Sequence, residues 1–187
     1  MIRTFIAFDL PVNVQESLQR LQSELKKTEA HVSWVKPERI HLTLKFLGDV
    51  SPEQIPAIQS ALEVIAASTR SFRLKVAGCG AFPTIKQMRV VWVGIRGDEA
   101  PLKELQGQVE QAMVPLGFKA EDRPFKAHLT LGRVKGRQRL RSLQDALMTY
   151  HAFEAEDFDV TELVLYKSEL RPEGARYTPL FRSSFKQ

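Results

Sequence analysis

Pro37-Glu38-Arg39-Ile40-His41-Leu42-Thr43-Leu44 and Pro124-Phe125-Lys126-Ala127-His128-Leu129-Thr130-Leu131 are two versions of one phrase. Each has a proline four residues ahead of the histidine, a basic residue two ahead, and then His-Leu-Thr-Leu unbroken. The chain has 187 residues and four histidines, and two of the four occupy this setting. In a β-strand, successive side chains point to opposite faces. His41 and Thr43 then share one face while Leu42 and Leu44 share the other. The same holds for His128 and Thr130 against Leu129 and Leu131. The leucines anchor each strand in a core, and the polar pairs point away from it into a groove. Residues two apart stand about 7 Å apart along a strand, within reach of one phosphate-sized anion. A single His-x-Thr is an ordinary surface pair. Packing demands no particular residue on the outer face of both strands, so the recurrence calls for a chemical reason.

Outward from the phrase, strands and helices interleave. Residues 40–47 read as the first motif strand, ended by Gly48-Asp49. Residues 128–134 form the second. Ahead of the first lie a buried strand over 2–10, a helix over 12–27 with Val14, Leu18, Leu21 and Leu25 at helical spacing, and a short strand at 33–35. After it, Ser51-Pro52-Glu53-Gln54 opens a helix that runs to about residue 67. Strands follow over 72–82, where Gly78 and Gly80 mark a bulge or a close backbone approach, and over 88–95. A third helix covers 101–116 and stops at Gly117. Past the second motif come a helix over 138–150, one bent strand or two over 153–170, and a closing strand over 177–185 that pairs back as a hairpin. Each half thus holds a motif strand, a helix and two β-prone segments. The expected class is α+β: two pseudo-equivalent lobes of mainly antiparallel sheet, helices outside and a cleft between, all within one bilobal domain spanning 1–187. A doubly wound βαβ sheet is the alternative, although no Gly-rich phosphate loop follows a strand.

Composition narrows the chemistry. The chain is 43% hydrophobic and 26% charged, the balance of a soluble globular protein. One cysteine, Cys79, excludes an internal disulfide and a Cys-rich zinc site, and points to a reducing, cytoplasmic setting. No apolar stretch reaches the roughly 20 residues that span a bilayer, so no membrane is expected. A net charge of +5 suits a polyanionic partner such as a nucleic acid or nucleotide. The densest basic cluster, Arg133, Lys135, Arg137, Arg139 and Arg141, directly follows the second motif.

Zinc takes three or four ligands, often at characteristic spacing, and neither motif has a His-Glu-x-x-His, a Cys pair or an acidic cluster beside it. No nucleophile elbow is present. Cys79 between Gly78 and Gly80 reads as a small buried thiol at a bulge. Two histidines and two hydroxyls suit metal-free acid–base work on a phosphodiester, since histidine serves as acid or base near neutral pH. In an in-line displacement the attacking and leaving oxygens lie on opposite sides of phosphorus, which two histidines from opposite lobes match.

These residues resemble the 2H phosphoesterase superfamily, defined by two His-x-Thr/Ser-x motifs. Within it the chain is similar to the RNA 2′,3′-cyclic phosphodiesterase (2′-5′ RNA ligase) family. The likeness also includes Arg3-Thr4-Phe5-Ile6-Ala7-Phe8, Trp34-Val35-Lys36-Pro37, Lys45-Phe46-Leu47-Gly48, Gly132-Arg133, Leu165-Tyr166-Lys167-Ser168-Glu169-Leu170 and Tyr177. The resemblance implies a pseudo-two-fold fold and a cyclic phosphodiesterase, a phosphoric diester hydrolase. It implies opening of a terminal 2′,3′-cyclic phosphate to a 2′-phosphomonoester without metal or other cofactor, on RNA ends or nucleotides; a monomer is expected. By the same analogy His41 is the proton donor to the leaving 3′-oxygen and His128 the proton acceptor that activates water. Thr43 and Thr130 would hold the non-bridging oxygens. The residues alone do not separate donor from acceptor.

Secondary candidates follow. Arg133 is the nearest cation for substrate binding, but alternation places it opposite His128 unless the strand bulges or ends at Gly132. Lys45 shares the His41 face and rivals it. Trp34 or Phe5 would stack on a base, against core packing as their commoner role. Tyr166, Ser168 and Tyr177 line the cleft or pack the C-terminal hairpin. Two other functions fit the motifs: an RNA ligase running the chemistry backwards, and a non-catalytic RNA-end-binding module.

Overall fold

A computed structural model describes residues 1–187. Strand β1 (Ile2–Phe8) is almost wholly buried from Thr4 to Phe8 and carries both of its neighbours. It pairs antiparallel with the first motif strand, β3 (Leu42–Val50), on one edge and with β8 (Glu162–Glu169) on the other. β9 (Arg176–Ser184) closes this four-stranded sheet, in the order β3-β1-β8-β9. The second motif strand, β6 (His128–Val134), sits in a five-stranded sheet between β2 (Val32–Trp34) and β5 (Met88–Gly97); β4 (Phe72–Pro83) and β7 (Glu154–Val160) complete the order β2-β6-β5-β4-β7. Every pairing within both sheets is antiparallel, which rules out the doubly wound alternative.

The sequence halves are not the lobes. Hairpin β4–β5 follows the first motif yet joins the second motif's sheet, while hairpin β8–β9 returns to the first. The β-prone stretch 153–170 is therefore two strands in two different sheets, parted at Thr161. Helices exchange as well. α1 (Val12–Lys26) leaves β1 but packs with α4 (Leu140–Thr149) against the five-stranded sheet, touching β7. α3 (Glu99–Met113) leaves β5 but packs with α2 (Ile55–Ser68) over β3 of the other sheet. The expected apolar stripe of α1 is buried at Val14, Leu18, Leu21 and Leu25, and Ser51 and Gln54 form a capping box ahead of α2. The outcome is one continuous core of 37 buried apolar residues fed by both sheets.

β3 runs past its expected stop. Gly48 takes φ +73° and opposes Thr4 across a register shift, so the strand continues to Val50 through a bulge. The Gly78 signal is borne out as a bulge between Val76 and Cys79, with Gly78 at φ +78°. Gly80 is a close approach: a Cβ there would lie 2.6 Å from the Trp92 ring.

One buried ion pair ties α3 to the first motif strand. Lys45 Nζ donates to Glu110 Oε2 at 2.7 Å and to the Lys119 carbonyl at 3.0 Å, and Glu110 Oε2 also accepts from the Glu121 amide at 3.2 Å. Four groups thereby pin the segment that leads from α3 to β6. Removing one partner of a buried pair strands the other charge. Glu110→Ala is expected to cost about 3–5 kcal/mol in urea unfolding, and Lys45→Met with Glu110→Leu to recover most of that loss.

Candidate active site

Leu42, Leu44, Leu129 and Leu131 are all buried, while His41, Thr43, His128 and Thr130 line a single cleft of about 1170 Å³ between the motif strands. β6 begins at His128; His41 stands one residue ahead of β3, in the extended segment that follows a single 3-10 turn at Pro37–Arg39.

Both strands break their alternation at the same place. β1 pairs Ala7 with Thr43 and Ile6 with Lys45, leaving Leu44 as an extra residue. β5 pairs Trp92 with Thr130 and Val91 with Gly132, leaving Leu131 extra. An extra residue returns the following positions to the opposite face. Arg133 thereby reaches the cleft, by the bulge its position required. In the first lobe the same shift carries Phe46 to the matching position, 70% exposed on the cleft wall. It also turns Lys45 inward to Glu110, so Lys45 is not the free cation that strand alternation promised. Gly132 is needed because a Cβ there would fall 2.7 Å from Val32 and 2.9 Å from the Trp34 ring. Trp34 thus packs over the strand rather than offering a face to a base.

The two imidazoles are held differently. His41 is enclosed by aromatic rings: Tyr166 at 4.7 Å, Tyr177 at 5.3 Å and Phe5 at 6.0 Å between centroids. Its Nε2 lies 3.4 Å from Asp9 Oδ1. Asp9 also accepts from the Tyr166 hydroxyl and from Arg182 Nη1, which reaches on to Glu162. Partial burial pushes the Asp9 carboxyl up, but hydrogen bonds from His41, Tyr166 and Arg182 outweigh it and hold it well below the carboxylate range. Burial and the Asp9 contact push the Tyr166 hydroxyl up, so it stays a neutral donor. His128 meets one ring edge-on, Phe82 at 5.0 Å, and its Nδ1 lies 2.7 Å from the Lys126 carbonyl. A carbonyl only accepts, so Nδ1 carries the proton and a neutral His128 keeps its Nε2 lone pair free.

Phe5 is buried against Tyr166 and Tyr177, which leaves it no face for a base. Tyr177 lines the cleft; Ser168 lies outside it. The basic cluster after the second motif contributes only Arg133. The other cleft cations, Arg39, Arg89, Lys119, Arg123, Lys126 and the Glu110-paired Lys45, come from scattered positions. Cys79 donates to the Tyr150 carbonyl at 3.2 Å, and burial pushes its thiol up to about 11, far from a nucleophile's range. No group of three or more His, Cys, Asp or Glu side chains converges in a way that would hold a metal ion. No helix is long and apolar enough to cross a membrane. Sequence reading missed Asp9, Arg182 and Phe46. An acid directly beyond a fully buried strand was the one available signal for Asp9; Phe46 needs the bulge.

The LigT like Phosphoesterase family matches the chain twice in succession, over residues 8–92 and 94–177, one match around each motif. The RNA 2′,3′-cyclic phosphodiesterase of Methanothermobacter thermautotrophicus is 34% identical over 179 residues, covering 96% of both chains. That of Escherichia coli is 31% identical over 187 residues, 99% of this chain and 97% of its own. Among solved structures, a Thermus thermophilus protein superposes with a TM-score of 0.82 at 27% identity, covering 98% of each chain. Escherichia coli LigT complexed with 3′-AMP gives 0.80 at 28% identity over 100% of this chain and 99% of the other. With both motifs on one cleft, and each inside its own match, the chain belongs to the LigT-like phosphoesterase family.

Proposed function

We propose that this phosphoesterase hydrolyses terminal ribose 2′,3′-cyclic phosphates on RNA ends or nucleotides to 2′-phosphomonoesters, without metal. The observation that carries the reading is that both His-x-Thr pairs face one cleft, each backed by buried leucines. Relatives named RNA 2′,3′-cyclic phosphodiesterase and the 3′-AMP complex of the Escherichia coli neighbour support the substrate class.

In this reading a water molecule attacks phosphorus and His128 Nε2 takes its proton. The bond from phosphorus to the 3′-oxygen breaks, and His41 gives that oxygen a proton. The products are a free 3′-hydroxyl and a 2′-phosphate, with one water consumed. Thr43 and Thr130 donate to the non-bridging oxygens as negative charge redistributes. Arg133 neutralises the phosphate from the second lobe, and the exposed ring of Phe46 offers a platform for the base.

The decisive assay offers the protein 2′,3′-cyclic-ended RNA in EDTA and identifies the position of the product phosphate. Continued turnover to the 2′-phosphate is expected; loss in EDTA with recovery on adding metal sinks the metal-free reading. His41→Ala and His128→Ala should each lower kcat by about 10²–10⁴-fold with unfolding midpoints close to wild type. The rate should be bell-shaped in pH, because one histidine enters protonated and the other neutral. Phe46→Ala is expected to raise KM for cyclic nucleotides roughly tenfold at constant kcat, and to leave a base-free cyclic ribose phosphate unaffected.

A further inference from the structure

The duplicated backbone allows position-by-position comparison of what faces each histidine. β1 pairs Ala7 with Thr43 and Phe8 with Leu42, so the next position, Asp9, faces His41. β5 pairs Trp92 with Thr130, Val93 with Leu129, and Gly94 with His128. Asp9 and Gly94 are therefore the equivalent residues of the two lobes. Gly94 has no side chain, and a Cβ there would lie 2.6 Å from the Ala77 carbonyl oxygen, so that lobe has no room for an acid.

We propose that Asp9 is the positioning residue that makes His41 the acid of the pair, as the counter-charge of its protonated ring; the inference rests on the reaction proposed above. Each strand of the four-stranded sheet supplies one member of the arrangement. His41 stands at the mouth of β3, Asp9 one residue beyond β1, Tyr166 on β8 and Arg182 on β9. Tyr166 and Arg182 fix both carboxylate oxygens, leaving Oδ1 toward the imidazole at 3.4 Å. The hydrogen bonds holding Asp9 ionised keep that charge in place across the neutral pH range.

The groups around the His41 ring are few. Tyr166 and Tyr177 touch it, and Arg39 shares with it the wall between the main cleft and a second cavity of about 400 Å³. Glu38 and Arg176 line that second cavity, and His128 and Arg133 stand in the main cleft. Asp9 is the one carboxylate in contact with the imidazole. His128 has only the Lys126 carbonyl, which orients the ring and adds no charge. The asymmetry that acid–base work requires thus comes from one side chain outside both motifs.

The test compares pH–rate profiles of wild type, Asp9→Asn, Asp9→Glu and Arg182→Gln on a 2′,3′-cyclic nucleotide. Asn removes the charge and keeps one acceptor oxygen, so it retains one of the two hydrogen bonds from Tyr166 and Arg182. In Asp9→Asn the alkaline limb, where the acid loses its proton, should move to lower pH by about one unit, with kcat falling and KM held. Asp9→Glu should keep the limb nearer to wild type. Arg182→Gln removes a cation that shares the carboxylate's field, so its alkaline limb should move up. A purely structural role predicts no such opposite movements. A limb that stays put in both Asp9→Asn and Arg182→Gln, or an acidic limb that moves instead, overturns the proposal.

A wild type that fails to open the cyclic phosphate defeats the proposed function, and ring-nitrogen NMR of labelled histidine then judges Asp9 alone. The titrating signal absent from His41→Gln should shift to lower pH in Asp9→Asn. Should it stay unchanged, Asp9 is not the counter-charge.

Discussion

Each motif strand is held between two demands: leucines that pack into the core and polar pairs that face the cleft. Leu42, Leu44, Leu129 and Leu131 lie in the common core, so neither strand can rotate or slip by one residue without exposing two leucines and burying a histidine. The register of both strands is thereby set, and with it the orientation of His41, Thr43, His128 and Thr130. The bulges at Leu44 and Leu131 act within that constraint. They let the strands continue into the core while a third position, Phe46 or Arg133, turns back to the cleft.

Much of this was legible in the sequence because it follows from period. Alternation around His-Leu-Thr-Leu placed four side chains correctly, and the boundaries of β6 and the buried face of α1 follow from hydrophobic spacing. What escaped has a physical reason in each case. Exchange of hairpins between sheets leaves no local mark, since β4 and β5 would pair the same way in either lobe. Gly48 looked like a stop because glycine at positive φ serves a turn and a bulge equally. Lys45 looked like a cleft cation because a one-residue bulge, invisible to alternation, sends it to Glu110 instead. Asp9 lies 32 residues from His41, and only the pairing of β1 with β3 brings them together.

The same exchange explains why the cleft is well defined although segments from both halves line it. α1 and α3 each leave one sheet to cover the other, so each lobe is roofed partly by a helix whose strand belongs to its partner. The two sheets share one core and hold the motif strands at a fixed separation. A cleft built this way presents two histidines without relying on a mobile loop to bring them together. The segment from Lys119 to Arg123 that forms part of its wall is itself tied down by Lys45 and Glu110.

Phe46 and Arg133 occupy matching positions, and their difference bears on ligand polarity. A groove with identical walls would accept an elongated molecule in two opposite directions with equal free energy. Half of the bound population would then present the wrong oxygen to each histidine. An aromatic face at one end and a guanidinium at the other remove that degeneracy, since an elongated ligand with one aromatic and one anionic end would lose both contacts on reversal. The duplicated backbone supplies two His-x-Thr pairs, and one mismatched pair of side chains gives the cleft a direction.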